Sequence, residues 1–143
     1  MMIPQKIRLA MSNQQGRVDR PEIEFTVVDD CLKQLGVEGH GEFSKVFRTY
    51  NFSGVLSNQQ PELLDLCSPS CQIAEATEFG RDTYEITDDF ICLTSGEGEG
   101  FLLYSKSDRK VYDVAVSELD ALEAGEIEAR WESFFQFLEW YLS

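Results

Sequence analysis

The sequence predicts an α+β domain built on an antiparallel meander, and three observations carry that expectation. Three β-rich runs follow one another between residues 84 and 116, joined by short turn-like connections. Helical patterns come before them, and an aromatic amphipathic segment closes the chain. The order helices, strands, helix argues against a βαβ repeat, in which the two alternate. At 143 residues the chain suits one domain whose core needs no disulfide staples.

Residues 1–20 read as a polar, basic arm or loop, because residues 12–20 show no hydrophobic periodicity. The organised body, residues 21–143, is expected to start at Pro21. From there Ile23, Val27, Cys31, Leu32 and Leu35 recur at helical spacing, and Gly36 is a natural stop. Pro21 suits the first turn, and Glu22 and Glu24 suit the positive end of the helix dipole. The β-branched run Thr26-Val27-Val28 weakens this helix.

A second helix has Phe43, Val46, Phe47 and Tyr50 at i, i+3, i+4 and i+7, ended by Asn51-Phe52-Ser53-Gly54. Leu63-Leu64-Asp65-Leu66 reads as a short strand. Cys71 to Phe79 reads as a small helix closed by Gly80. Then come the strands, Phe90 to Thr94, Phe101 to Ser105 and Val111 to Val116. In the last, Tyr112, Val114 and Val116 share a face opposite Asp113, the pattern of a strand buried on one side. Ser117 to Ala124 follows as a short helix or ordered loop. Apolar side chains at 131, 134, 135, 138, 141 and 142 then form a broad stripe, widened by Phe137 and Trp140, that suits a helix laid across a sheet.

The net charge is −14. Lys6, Arg8, Arg17 and Arg20 against Asp19 leave residues 1–20 at +3, so the rest of the chain carries −17. Such a body repels nucleic acid and anionic membranes and attracts basic partners. The same charge also serves solubility. Residues 1–11 hold no apolar run longer than three, and no later stretch approaches the roughly 20 apolar residues of a membrane span, which predicts a cytoplasmic protein.

No residue set points to catalysis or to a cofactor. Gly96-Glu97-Gly98-Glu99-Gly100 superficially looks like a phosphate loop. However, it precedes a strand, lacks Lys-Ser/Thr and carries carboxylates where phosphate would sit. It reads as a hairpin loop or as an acidic finger offered to a cationic partner. Asp29-Asp30 and Asp88-Asp89 are paired carboxylates without the spacing of a calcium loop, and they read first as solvated surface. Cys67 and Cys71 have a CxxxC spacing that fits zinc ribbons poorly, and His40 is the single histidine. A metal protein or hydrolase built on His40 and the cysteines is the outlying alternative, and thiols in the core or in loops are the plainer one.

Several segments together resemble the SUKH superfamily of yeast cell-wall synthesis regulators and bacterial immunity proteins. They are Glu42-Phe43 through Tyr50-Asn51-Phe52-Ser53-Gly54, Tyr84 to Leu93, Gly98 to Tyr104, Lys110 to Val114, and Trp131 to Leu138. The family's frequent Leu-Pro-x-Asp/Glu-Tyr opening is not evident here. The resemblance implies an antiparallel sheet with helices packed mainly on one face, and a binding role rather than catalysis. It further implies a cytoplasmic immunity protein that neutralises a cognate polymorphic or contact-dependent toxin, in many cases a basic nuclease. Local charge density makes Glu97, Glu99, Asp88 and Asp89 the first candidates for partner contact. The alternative is a regulatory scaffold of the same fold, with an apolar interface around Phe52, Val55 and Leu56.

Overall fold

β-Propensity and turn chemistry between residues 90 and 116 produce a three-stranded antiparallel sheet. The structure is a computed structural model and describes residues 2–59, 62–67, 70–95 and 99–143. Strands β1 (Phe90–Cys92), β2 (Gly100–Ser105) and β3 (Val111–Ala115) lie in the order β1-β2-β3. Ile91 pairs with Tyr104, and Phe101 with Val114. At Gly100 the backbones approach so closely that a Cβ would sit 2.9 Å from the Val114 carbonyl oxygen. Only glycine fits there.

Both faces of the sheet are covered. Ile91, Leu93, Leu102, Tyr104 and Val111 join a large core with α1 (Gln5–Ser12), α2 (Phe25–Leu35), α3 (Glu42–Thr49) and α6 (Phe134–Tyr141). On the other face Cys92, Phe101, Leu103 and Val114 meet Ala76 of α4 (Gln72–Tyr84), Ile86, and Leu122 of α5 (Leu119–Glu123). Most helices therefore pack on one face, and the domain is α+β. The one-sided burial expected of β3 does not hold. Val111, on the Asp113 side, is completely buried in the large core, and Trp131 pairs with its backbone from the outer edge.

The arm expected at residues 1–20 is a correction. Ile3, Ile7 and Met11, spaced four residues apart, put one face of α1 into the large core, and α1 packs against α6. Residues 18–20 are also tied down, since Arg20 N donates to Thr49 O (2.9 Å) and Asn51 N to Val18 O (2.8 Å). Three apolar residues among many polar ones are a weak periodic signal, and their partner helix is more than a hundred residues away.

A second correction concerns α2. A 3-10 turn over Glu22–Glu24 precedes it, and its buried residues are Val28, Cys31, Leu32 and Leu35. Ile23 is 88% exposed, and Val27 is exposed as well. Gly36 ends the helix in the left-handed region (φ 75°), as its position suggested. In α3 the expected Phe43, Val46 and Phe47 are all buried. Tyr50 is buried too, but it lies just past the helix in extended backbone that bridges to Asp19.

Helix α4 runs through Gly80 to Tyr84 rather than closing at the glycine. The missing side chain there makes room for Cys92 Sγ and Ile86 Cδ1, 3.0 and 3.1 Å from where a Cβ would stand. Glu85 instead makes the left-handed turn that stops the helix (φ 58°). Residues 63–66 form no strand. Leu64 N donates to Leu93 O (2.9 Å), but Asp65 turns inward to Arg20.

Helix α6 starts later than the apolar stripe. Ser133 caps it, its Oγ accepting from Gln136 N at 3.2 Å, which leaves Trp131 to pair with β3. Phe134, Phe137, Leu138 and Tyr141 form the buried face, while Phe135 and Leu142 are half-buried. Replacing a capping serine by alanine costs about 1 kcal/mol. Ser133→Ala is expected to lower unfolding free energy by that amount in urea denaturation, and an unchanged midpoint would mean the cap contributes nothing.

Candidate functional site

The acidic residues singled out from sequence have separate fates. Asp89 is structural. Its Oδ2 accepts from Ser105 Oγ (2.6 Å) and Ser107 Oγ (3.1 Å), and its Oδ1 accepts from Ser107 N (3.0 Å), which shapes the β2–β3 turn. Both oxygens of Asp89 are thus engaged within the domain, and its side chain is half-buried. Asp88 projects into solvent with its side chain 95% exposed, and Arg81 Nε lies 3.4 Å from it. Glu99 is exposed, and its carbonyl oxygen accepts from Val116 N (2.9 Å). Glu97 lies outside the described residues.

The other sequence candidates are dispersed or engaged. Asp29 pairs with Arg48 at 2.5 Å. His40 is an exposed side chain 3.3 Å from Glu38. Cys67 is buried beside Arg20, and Cys71 faces Cys31. Among the described residues, no three His, Cys, Asp or Glu side chains gather as metal ligands would. The apolar interface considered for a scaffold is not assembled either. Phe52 and Val55 are core residues, and only Leu56 is exposed.

Tertiary structure creates a site that none of these candidates marked. The end of α4, the Glu85–Thr87 turn, the start of β1 and α5 enclose a cleft open to solvent. Tyr84, Ile86, Phe90, Leu119 and Leu122 supply apolar walls, and Thr87 adds a hydroxyl. Glu85, Asp120 and Glu123, all exposed, bring three carboxylates to its lining. The aromatic walls are held from behind. Tyr84 meets Phe101 edge-on at 5.3 Å between ring centroids, and Phe90 meets Tyr112 edge-on at 5.5 Å. Because Glu85 occupies the left-handed region, it ends α4 with its side chain at the cleft rather than continuing the helical face.

The charge around this cleft is one-sided. Residues 82–105 and 111–129 flank it, and each stretch contains six acidic residues and no lysine or arginine. Arg81, just before the first stretch, lies against Asp88 at the margin. Among the described residues no lysine or arginine lines the cleft itself, so the potentials of its three carboxylates add. Long basic side chains match such a lining. Their methylene stems can lie along Ile86 and Leu119, their charge over the faces of Tyr84 or Phe90, and their donors against the carboxylates.

No protein-family model and no curated protein matches this chain.

A second cleft, by contrast, is already internally satisfied. Gly36, Val37, Glu38, His40, Gly41, Phe43, Tyr104, Lys106 and Arg109 line it. Lys106 Nζ donates to Leu35 O (3.0 Å), and Arg109 pairs with Glu38 (2.6 Å). Burial pushes the Tyr104 hydroxyl up to about 12, so it remains a neutral phenol across the physiological range. Of the two clefts, only the one between α4 and α5 combines apolar walls with a single sign of charge.

No local signal in the sequence links Tyr84 and Glu85 to Leu119, Asp120 and Glu123. Some thirty-five residues separate the two groups. The absence of cations from both flanking stretches is the one clue that pattern alone contains.

Proposed function

We propose that this chain is a non-catalytic binding module that captures a basic protein, and that the α4–α5 cleft is where it does so. The observation that carries the proposal is the cleft's combination of Tyr84, Phe90 and Leu119 walls with Glu85, Asp120 and Glu123. With the resemblance to the SUKH superfamily, the best-supported role is that of a cytoplasmic immunity protein. Its partner is a cognate toxin with a cationic surface of the kind a nuclease uses for phosphate. An acidic antidote is steered to such a surface and blocks it, and the same charge keeps nucleic acid and anionic membrane away. Among the described residues no helix is long and apolar enough to cross a membrane.

Asp88 stands at the margin of this surface, next in the chain to Thr87 of the lining. Glu99 belongs to the same cation-free stretch. Both remain secondary contacts in the proposal, behind the three cleft carboxylates.

The test compares tagged wild-type protein with the triple variant Glu85→Lys/Asp120→Lys/Glu123→Lys. Captured proteins are identified by mass spectrometry at low and at high salt, and the captured partner is then co-expressed with either form. A basic protein whose toxicity is cancelled by wild type only is the expected result. Its association rate with the triple variant should be at least about tenfold slower, in keeping with lost electrostatic steering. Equal capture by both forms would remove the cleft from the proposal. Capture of a neutral partner insensitive to salt would overturn the immunity role.

A further inference from the structure

Two sulfur atoms that take no part in the cleft face each other across the large core. Cys31 lies on the buried face of α2 and is 2% exposed. Cys71 stands at the N-terminal boundary of α4 and is partly exposed. Their Sγ atoms are 3.0 Å apart, although forty residues separate them in the chain. The other two thiols are placed differently. Cys67 lies against Arg20 Nη1 (3.3 Å) and Glu24 (3.7 Å). Cys92 belongs to the opposite core, packed against Gly80.

We infer that Cys31 and Cys71 form a site of reversible oxidative modification, at which a peroxide converts the two thiols into a disulfide joining α2 to the start of α4. Closing the bond brings the sulfurs about 1 Å nearer, to the roughly 2 Å of a disulfide. Two elements held together non-covalently at this point thereby become covalently linked.

Exposure orders the steps. Cys71 is the accessible thiol, and its sulfur attacks one peroxide oxygen. The O–O bond breaks, one water leaves, and a sulfenic acid remains on Cys71. Cys31 then attacks the Cys71 sulfur, the S–O bond breaks, and the hydroxyl leaves with the Cys31 proton as a second water. The two thiols lose two electrons, and the peroxide takes them up as it becomes two waters. Burial, together with the hydrogen bond to Cys71, pushes the Cys31 thiol up to about 12. Cys31 therefore stays protonated at neutral pH, which disfavours it for the first attack; in the second step its proton passes to the departing hydroxyl as its sulfur attacks. A small dithiol reverses the change by thiol–disulfide exchange.

The protein treated with hydrogen peroxide and then alkylated tests this directly. Two of the four thiols should disappear, with the mass falling by two hydrogens, and dithiothreitol should restore both. Trypsin leaves Cys67 and Cys71 in one peptide, so Cys67→Ser is needed to assign the link, and it should cross-link as readily as wild type. Cys31→Ser should form no intramolecular link and should accumulate a dimedone-reactive sulfenic acid at Cys71. That trapping step reads the chemistry without requiring a second folded cysteine variant. A link between Cys67 and Cys71, cross-linked dimers only, or four unmodified thiols under conditions that oxidise free cysteine would each overturn the inference.

Discussion

Replacing Arg20 by methionine is expected to remove about 3–5 kcal/mol of folding stability, because it strands a buried carboxylate. The Arg20 and Asp65 side chains are both completely shielded from solvent. The guanidinium grips the carboxylate with two parallel bonds of 2.9 Å, Nη1 to Oδ2 and Nη2 to Oδ1. It also donates from Nε to Phe47 O (2.9 Å) and from Nη1 to Glu24 Oε1 (2.8 Å). Asp65 in turn accepts from Phe52 N (2.8 Å) and Cys67 N (3.1 Å). This one pair therefore joins α3, the turn after it, the 3-10 turn before α2 and the 62–67 segment.

The fork geometry also explains why lysine should not substitute well. A single ammonium cannot reproduce two parallel bonds to one carboxylate. Asp65→Asn should be destabilising as well, since the arginine then loses its countercharge. The distinguishing measurement is a double-mutant cycle by chemical denaturation. Arg20→Met with Asp65→Leu should lose less stability than the two single changes added together, because no charge is left stranded in the double variant. Strict additivity would mean that the two side chains stabilise the fold independently.

Phe134→Ala is expected to cost about 3–5 kcal/mol, as deletion of a large buried aromatic side chain generally does. Phe134 is 1% exposed. It sits among Phe43 (5.1 Å between centroids), Phe47 (5.9 Å), Tyr104 (5.7 Å) and Phe137 (5.7 Å). Those four rings come from α3, β2 and α6, so the resulting cavity opens where the closing helix meets the sheet. The neighbouring rings are pinned by one another, as in the 4.7 Å stack of Phe43 on Tyr104, and cannot collapse freely into the space. Phe79 offers the contrast. It is 47% exposed, and Phe79→Ala should stay within about 1 kcal/mol of wild type. Thermal or urea unfolding of both variants decides the point, and a similar loss for both would refute the burial argument.

The local elements were legible where one periodicity ran without interruption. α3 shows its buried face directly in Phe43, Val46 and Phe47. The meander shows in three apolar runs divided by glycine or by Lys106-Ser107-Asp108-Arg109-Lys110. Reading failed where two frames competed. In α2, Val27 and Val28 are adjacent and equally apolar, and packing rather than sequence selected Val28 for the core. In the closing segment, Ser133 began the helix inside what looked like one continuous stripe, which released Trp131 to β3.

The candidate site was less legible than the fold. Charge density drew attention to Asp88 and Asp89 as a pair, yet backbone alternation sends one to solvent and the other into the turn of its neighbours. The cleft carboxylates were invisible as a set, because Glu85 and Asp120 become neighbours of one lining only when α5 closes over the end of α4.

Sequence by itself determined the helical and strand periods, the meander, the acidic body and the absence of cations from residues 82–105 and 111–129. Those properties are local or additive, and neighbouring residues are enough to specify them. Only the tertiary structure decided that α1 belongs to the core, that Arg20 meets Asp65, that Cys31 faces Cys71, and that a cleft opens between α4 and α5. Each of these joins residues far apart in the chain. Their proximity depends on how whole elements pack, and no spacing rule within one element encodes that.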